Sequence, residues 1–240
     1  MPIQTLTAPG STVGVNILKS GTNYTTVRNA TAGTNAGNED NKFTLNAKGG
    51  SNYFLRRGVL LYDFTGVPIT QGIRVVKAQL ILNDVVETAG QTNGDKIRVG
   101  WIFNPNTFGA VHANDFDRSR YSGNHWTSDQ QVDNGADGEI INLDSGDLLK
   151  EMQAAINGKT WLHLVVRNTN DVANTTPNSS TAGKVWFDRP NADDNPLQLR
   201  VFYRLINNRR NMGVGISRAS QSGFGGDSMF CGTNSGFSNG

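Results

Sequence analysis

The sequence predicts an all-β protein, an antiparallel β-sandwich with one short helix, on three observations. Between Arg56 and Leu82, two alternating patterns flank a proline-marked turn at Pro68. In the first, Leu60, Tyr62 and Phe64 point one way while Leu61 and Asp63 point the other; in the second, Val76, Ala78, Leu80 and Leu82 alternate with Lys77, Gln79 and Ile81. A period of two is that of a pleated strand with one buried face. Second, further apolar runs near 97–103, 161–166, 185–187 and 197–205 are well separated, which gives enough strands for a core. Third, Gly, Asn, Thr and Ser are abundant, a composition of short strands joined by polar loops rather than of a helical core.

The elements follow in order. Residues 1–20 carry two apolar spots, Ile3 with Leu6 and Val13 to Leu18, and read as an N-terminal arm or edge strand. From Asn23 to Asn52, β-prone pieces at Tyr24 to Arg28 and Lys42 to Leu45 alternate with Asn/Gly/Thr loops. Lys96 to Phe103 reads as a strand with Ile97, Val99, Trp101 and Phe103 on one face. Residues 104–139 form a polar insertion dotted with Phe116, Tyr121 and Trp126. At that length it is a functional loop or holds short strands of its own. Ser145 to Asn157 is the one helix: Asp144 or Ser145 caps it, Asp147 suits its positive end, and Gly158 stops it. Its apolar stripe is Leu148, Leu149, Met152, Ala155 and Ile156. In Trp161 to Arg167, Leu162, Leu164 and Val166 point inward, and His163 shares the outer face with Trp161 and Val165.

One sandwich domain over 21–205 with appendages fits the 240 residues. The segment 206–240 is rich in Gly, Ser and Asn, as a flexible linker is, yet it carries more apolar residues than a linker needs. It reads as a C-terminal assembly arm in which Arg209, Arg210, Met212, Ile216, Phe224, Phe230 and Phe237 lie on a neighbouring subunit.

Charge and cysteine content exclude several classes. A net charge of +2 gives the whole chain little attraction for nucleic acid or an anionic membrane. Cys231, the one cysteine, can make no intrachain disulfide. The N-terminus lacks a basic start followed by an apolar run, so no export signal is predicted, and no run is long enough to span a bilayer.

Catalytic patterns are weak. His112, His125 and His163 lie in different segments without zinc-site spacing, and the acid pairs Asp115 with Asp117 and Asp193 with Asp194 sit in polar loops. The arginines Arg204, Arg209, Arg210 and Arg218 lack the interleaved aromatics of a nucleic-acid site. A non-enzymatic protein without a cofactor is expected. Structural calcium is the one ion whose ligands are in place by composition, in Asp188 to Asn195, Asp133 to Asp137 and 113–117.

The block Arg57, Tyr62 to Thr65 (YDFT), Pro68 and Ile73 to Leu82 resembles the signature of the DNRLRE-type modules: an arginine, an FDLS-like tetrapeptide, a proline, then an I-x-x-A-x-L-x-L strand. The likeness reaches upstream to Val27 and the loop Asn35 to Asn41, and downstream to Pro196, Leu197, Leu199, Val201 and Tyr203, so that it covers roughly residues 20–205. The resemblance implies a jelly-roll-like sandwich found in secreted polysaccharide-binding proteins, cell-surface proteins and phage particles. It also implies a helix between the middle and late strands and a tryptophan in the insertion, here Trp126.

Two functions are expected from this. The first is a structural protein of a phage or other virus particle, a capsid decoration, cement or fibre component assembled in the host cytoplasm and displayed on the virion surface. It would bind other copies of itself and neighbouring capsid or tail proteins through its arms. The second is a carbohydrate-binding module or adhesin, extracellular or on a cell surface, that stacks polysaccharide on exposed Tyr121, Trp126, Trp161 and Trp186. Neither involves nucleic acid or a membrane.

Overall fold

The computed structural model describes residues 2–8, 14–37, 42–82, 96–103, 105, 109–121, 123, 125–132, 139–177, 185–186 and 197–206. In chain order these form β1 (Gln4–Ala8), β2 (Gly14–Gly21), α1 (Tyr24–Arg28), β3 (Asn35–Gly37), β4 (Lys42–Gly49), β5 (Asn52–Asp63), β6 (Ile73–Leu82) and β7 (Lys96–Trp101). Two 3-10 turns follow, Ala113–Phe116 and Arg118–Arg120, then β8 (Gln130–Gln131), β9 (Glu139–Asn142), α2 (Gly146–Gly158), β10 (Trp161–Asn168), α3 (Thr169–Val172), β11 (Val185–Trp186) and β12 (Leu197–Leu205).

The strands make two antiparallel sheets, one of four in the order β1-β12-β6-β9 and one of eight along β11-β4-β5-β10-β7-β8, with β2 joined to β5 and β3. This is the expected all-β sandwich. Its main core lies between the sheets, where Leu60 and Tyr62 of β5, Ala78 and Leu80 of β6, Val99 of β7, Leu164 of β10 and Val201 of β12 pack with Leu148, Met152 and Ile156 of α2.

The described part of residues 1–20 forms strands, and β1 takes the edge-strand alternative, at the edge of the smaller sheet. β1 pairs with β12 from Gln4↔Tyr203 to Ala8↔Leu199, and β2 runs beside β5 from Gly14↔Leu60 to Gly21↔Tyr53. A strand along each sheet satisfies backbone groups that an arm would leave to water.

Two local readings change for identifiable reasons. In β6 the register against β12 jumps from Lys77↔Phe202 to Val75↔Tyr203, so Val76 is an extra residue in a bulge. A bulge inverts the inward parity: Ile73 and Val75 face the core before it, Ala78 and Leu80 after it, and Val76 is left half-buried. Tyr24–Arg28 is helical although Thr25, Thr26 and Val27 favour a strand, because the Asn23 side chain caps it from Thr26 N at 3.0 Å and Val27 is buried. Phe103, beyond the end of β7, is 56% exposed instead of continuing the inward row of Ile97, Val99 and Trp101.

Helix α2 begins where expected, with Ser145 Oγ accepting from Leu148 N at 3.4 Å. Its stop differs by one position: Gly158 is the last helical residue and Lys159 takes the left-handed conformation at φ 50°. Beside β6, where β9 no longer runs, Gln153 Oε1 accepts from Val75 N and Asn157 bonds both the N–H and the carbonyl of Ile73. Amide side chains of the helix thus close a strand edge that would otherwise be open.

The large sheet is buried on both faces, contrary to the one-face pattern read from the sequence. Its outer face carries a second apolar cluster of Ile17, Val27, Leu55, Val59, Leu61, Ile102, Phe116, Tyr121 and Val165. The part of the 104–139 insertion that is described, with its two 3-10 turns, therefore lies against the sheet as a packed third layer.

Candidate functional site

On β5 the residues facing this third layer are Leu55, Arg57, Val59 and Leu61, and on β10 they are His163, Val165 and Arg167. Two arginines thus stand where an apolar row would place leucine, and Arg57 is fully buried. A buried guanidinium persists only with a counter-charge and acceptors for its donors. Asp171 supplies the charge. Helix α3 presents it, with Asn168 Oδ1 capping from Asn170 N at 2.8 Å.

The carboxylate is saturated. Oδ2 accepts from Arg57 Nε at 2.9 Å and Arg167 Nε at 2.6 Å; Oδ1 accepts from Arg57 Nη2 at 3.1 Å and Arg167 Nη2 at 2.6 Å. Further donors go to carbonyls: Arg57 to Phe116 and Arg28, Arg167 to Asp171, and Arg28 to Asp171 and Val172. Arg28 Nε also lies 3.5 Å from Asp171 Oδ1. Aromatic rings complete the enclosure. The Arg57 guanidinium sits 4.1 Å from the Phe116 ring centre, and that of Arg167 5.1 Å from Trp126.

Burial alone would raise the Asp171 carboxyl, but Arg57 and Arg167 outweigh it and hold it well below the usual carboxylate range. Arg57, which burial pushes down, is held up by Asp171 and stays protonated. Burial pushes the Tyr121 phenol up to about 12 against the pull of both arginines. A carboxylate with four donors on its two oxygens has no lone pair left for a proton or a metal. The cluster is a staple between β5, β10, α1, α3 and the third layer, in a chain whose single cysteine can make no internal disulfide.

Three of the four aromatic residues expected to stack sugars, Tyr121, Trp126 and Trp161, serve the same layer. Tyr121 is buried, donates its hydroxyl to Asp115 O at 2.7 Å, and meets Trp126 edge-on at 6.1 Å, so it offers no face to a ligand. Trp126 is half-buried, donates Nε1 to Gly123 O at 2.6 Å and lies against Arg167. Trp161 is half-buried, with Gly109 against its ring; a Cβ there would stand 3.1 Å from Cε2, and φ is +76°, so glycine is required. Tyr121 and Trp126 are thus brought together. Trp186 lies in β11, and its side chain falls outside the described residues.

Arg209, Arg210, Met212, Ile216, Phe224, Phe230 and Phe237 fall outside the described residues, as do the calcium loops at 133–137 and 188–195. In 113–117, Asp115 accepts from His112 N at 2.8 Å and Asp117 from Ser119 N at 2.9 Å, so both carboxylates cap turns. Among the described residues no three His, Cys, Asp or Glu side chains converge, and no helix is long and apolar enough to cross a membrane. His125 pairs with Asp147 at the surface at 2.6 Å. His163 is buried on the outer face of the large sheet, and its Nε2 accepts from Gly109 N at 3.3 Å.

Arg28, Arg167 and Asp171 were not singled out by sequence reasoning, and Arg57 only through the resemblance. A signal was present: Arg57 shares parity with Leu55, Val59 and Leu61, and Arg167 ends an apolar strand.

Stability should fall in two steps on acidification. Burial lowers the His163 pKa, against the opposing pull of Asp115, so the unfolded chain takes up a proton below about pH 6.5 that the folded chain resists. That contribution is present above the unfolded pKa and is lost as pH falls toward the folded one. Asp171, also depressed, contributes fully above about pH 4 and loses its share below it. Urea unfolding between pH 8 and 3 should show both limbs; His163→Gln should remove the first and Asp171→Asn the second. A flat profile in the unsubstituted protein would refute the assignment.

Compared with known proteins, the sequence matches no family model and no curated protein.

Proposed function

We propose that the chain is a non-enzymatic structural protein of a virus particle, a decoration, cement or fibre component of the capsid that is held to its neighbours by the C-terminal segment. The observation that carries this reading is the division of the chain after Asn207. Up to that point the sandwich is closed by its own residues: β12 ends at Leu205, and Ile206 N donates to Gly72 O at 2.7 Å. The 33 residues from Asn208 to Gly240 fall outside that unit. Their sequence sets Phe224, Phe230 and Phe237 among glycine and serine, apolar groups that a tether does not need and an assembly contact does. The likeness to DNRLRE-type modules, some of which occur in phage particles, points the same way.

A version ending at Asn207 should fold with an unchanged unfolding midpoint and be monomeric by light scattering, while the full chain forms a defined oligomer. A monomeric full chain whose tail is freely cleaved by protease would overturn the proposal. A second reading, a glycan-binding module, is favoured by the exposed portions of Trp126 and Trp161. It predicts signal on a polysaccharide array that Trp126→Ala or Trp161→Ala abolishes.

A further inference from the structure

The four-stranded sheet turns one face to the core and the other outward. Leu199, Val201 and Tyr203 of β12 are buried in the core, so Arg200, Phe202 and Arg204 point away from it. Directly opposite on β6, Arg204 faces Arg74 and Phe202 faces Lys77. Four cations therefore share this face, with Arg74, Lys77 and Arg204 exposed and Arg200 half-buried. Strands β1, β6 and β12 contain no acidic residue, and among the described residues no ion pair involves any of the four.

Like charges directly opposite on paired strands destabilise a sheet. Arg74 and Arg204 are such a pair, and they line an open cavity of about 360 Å³ together with Val75 and Val76. Two guanidiniums lining a concavity, without a counter-charge among the described residues, match carboxylates in geometry and sign.

We infer that this face docks the acidic surface of a different protein, with aspartate or glutamate carboxylates seated between Arg74 and Arg204. The composition favours protein over other polyanions. Arginine and an aromatic ring are the groups that dominate protein interfaces. A sugar would need an open ring to stack on, and the Lys77 ammonium lies over Phe202, 5.7 Å from its centre. A single-stranded nucleic acid would need a series of such rings, and here there is one, half-buried. The chain's own C-terminal segment is not the occupant, since residues 208–240 carry three arginines against one aspartate. Nor can the face pair with itself in a second copy, where cations would meet cations.

The inference stands whether or not the chain belongs to a virus particle. The full chain is titrated with poly-L-glutamate, and in parallel with alginate and an oligodeoxythymidylate of matched charge. Binding of poly-L-glutamate should be the tightest, should weaken with salt, and should lose at least tenfold in affinity in Arg74→Gln/Arg204→Gln. Lys19→Gln/Lys48→Gln, which removes the same charge from the large sheet, should bind as the unsubstituted chain does. The unfolding midpoint of the arginine variant should not fall, because among the described residues neither side chain has an ion-pair partner to lose. Absence of binding, equal loss in both variants, tighter binding of alginate or the oligonucleotide, or a lowered midpoint would overturn the inference. So would a salt-sensitive self-association that the arginine substitutions abolish.

Discussion

Asp171→Ala should lower the unfolding free energy by about 3–5 kcal/mol, the usual cost of removing one partner from a buried ion pair. For a chain of this size that corresponds to a fall of roughly 6–20 °C in melting temperature. The reason is specific to this site. Arg57 and Arg167 are 0% and 4% exposed, so neither can swing into water when the carboxylate goes, and Arg28 stands beside them at 6%. Three buried cations would share one cavity with no anion among their bonded partners. Asp171→Asn keeps one acceptor oxygen and should lose less than Asp171→Ala, though it also removes the charge. Urea denaturation checks both, and a loss below about 1 kcal/mol in Asp171→Ala, the range of a surface pair, would show that the cluster is solvated.

Replacing a buried ion network by apolar residues of similar volume is often neutral or stabilising. Here it should not be. The carbonyls of Arg28, Phe116, Asp171 and Val172 all accept from these guanidiniums. Methionine at 28, 57 and 167 would leave the carbonyls of residues 28, 116 and 172 without these donors, at a cost of about 1–3 kcal/mol for each that water cannot reach, while the Asp171 carbonyl keeps its bond from Asn174 N at 3.3 Å. The arginines serve the backbone of the third layer as much as they serve Asp171, which gives a physical reason for charge in the middle of an apolar strand.

That role also explains what could be read from the sequence. β5, β6, β7, β10, β12 and α2 announce themselves because each has a periodic apolar face, and a period survives without knowledge of the partner layer. The bulge at Val76 does not, since one inserted residue leaves the local composition unchanged and shifts only the phase. The helix at Tyr24–Arg28 is hidden by strand-favouring residues and is secured by contacts distant in sequence, among them the bond from Arg28 Nε to Asp171 O at 2.8 Å, 143 positions away. The third layer is held by hydrogen bonds and aromatic packing on 3-10 turns, which have no long apolar period to detect. Tyr121 and Trp126 look like exposed platforms because the polar residues around them suggest solvent. In the fold those polar residues bind one another and cap turns. Arg57 was visible as part of a motif and by its parity with Leu55, Val59 and Leu61, but that this face is covered follows only from Phe116 and Tyr121 lying against it.

Phe116→Ala tests whether that third layer is an integral part of the fold. Phe116 is fully buried and belongs to the second core with Ile17, Val59 and Val165. Truncating it removes the ring beneath the Arg57 guanidinium and opens a cavity, for an expected loss of about 3–5 kcal/mol. The backbone carbonyl of residue 116 remains to accept from Arg57, so the charge cluster itself keeps its acceptors and the loss reports packing. Because Arg57 is tied to α1, α3 and the third layer together, the layer should not open alone. One cooperative urea transition is expected, moved to lower midpoint with its slope unchanged, and tryptophan fluorescence and far-UV circular dichroism should report the same curve. Two transitions, with early trypsin cleavage at Arg118 or Arg120 while the sheet signal persists, would instead make the layer a separable lid. In that case Trp126 and Trp161 could become accessible without unfolding, and the glycan-binding reading would gain the open aromatic surface that the closed structure withholds.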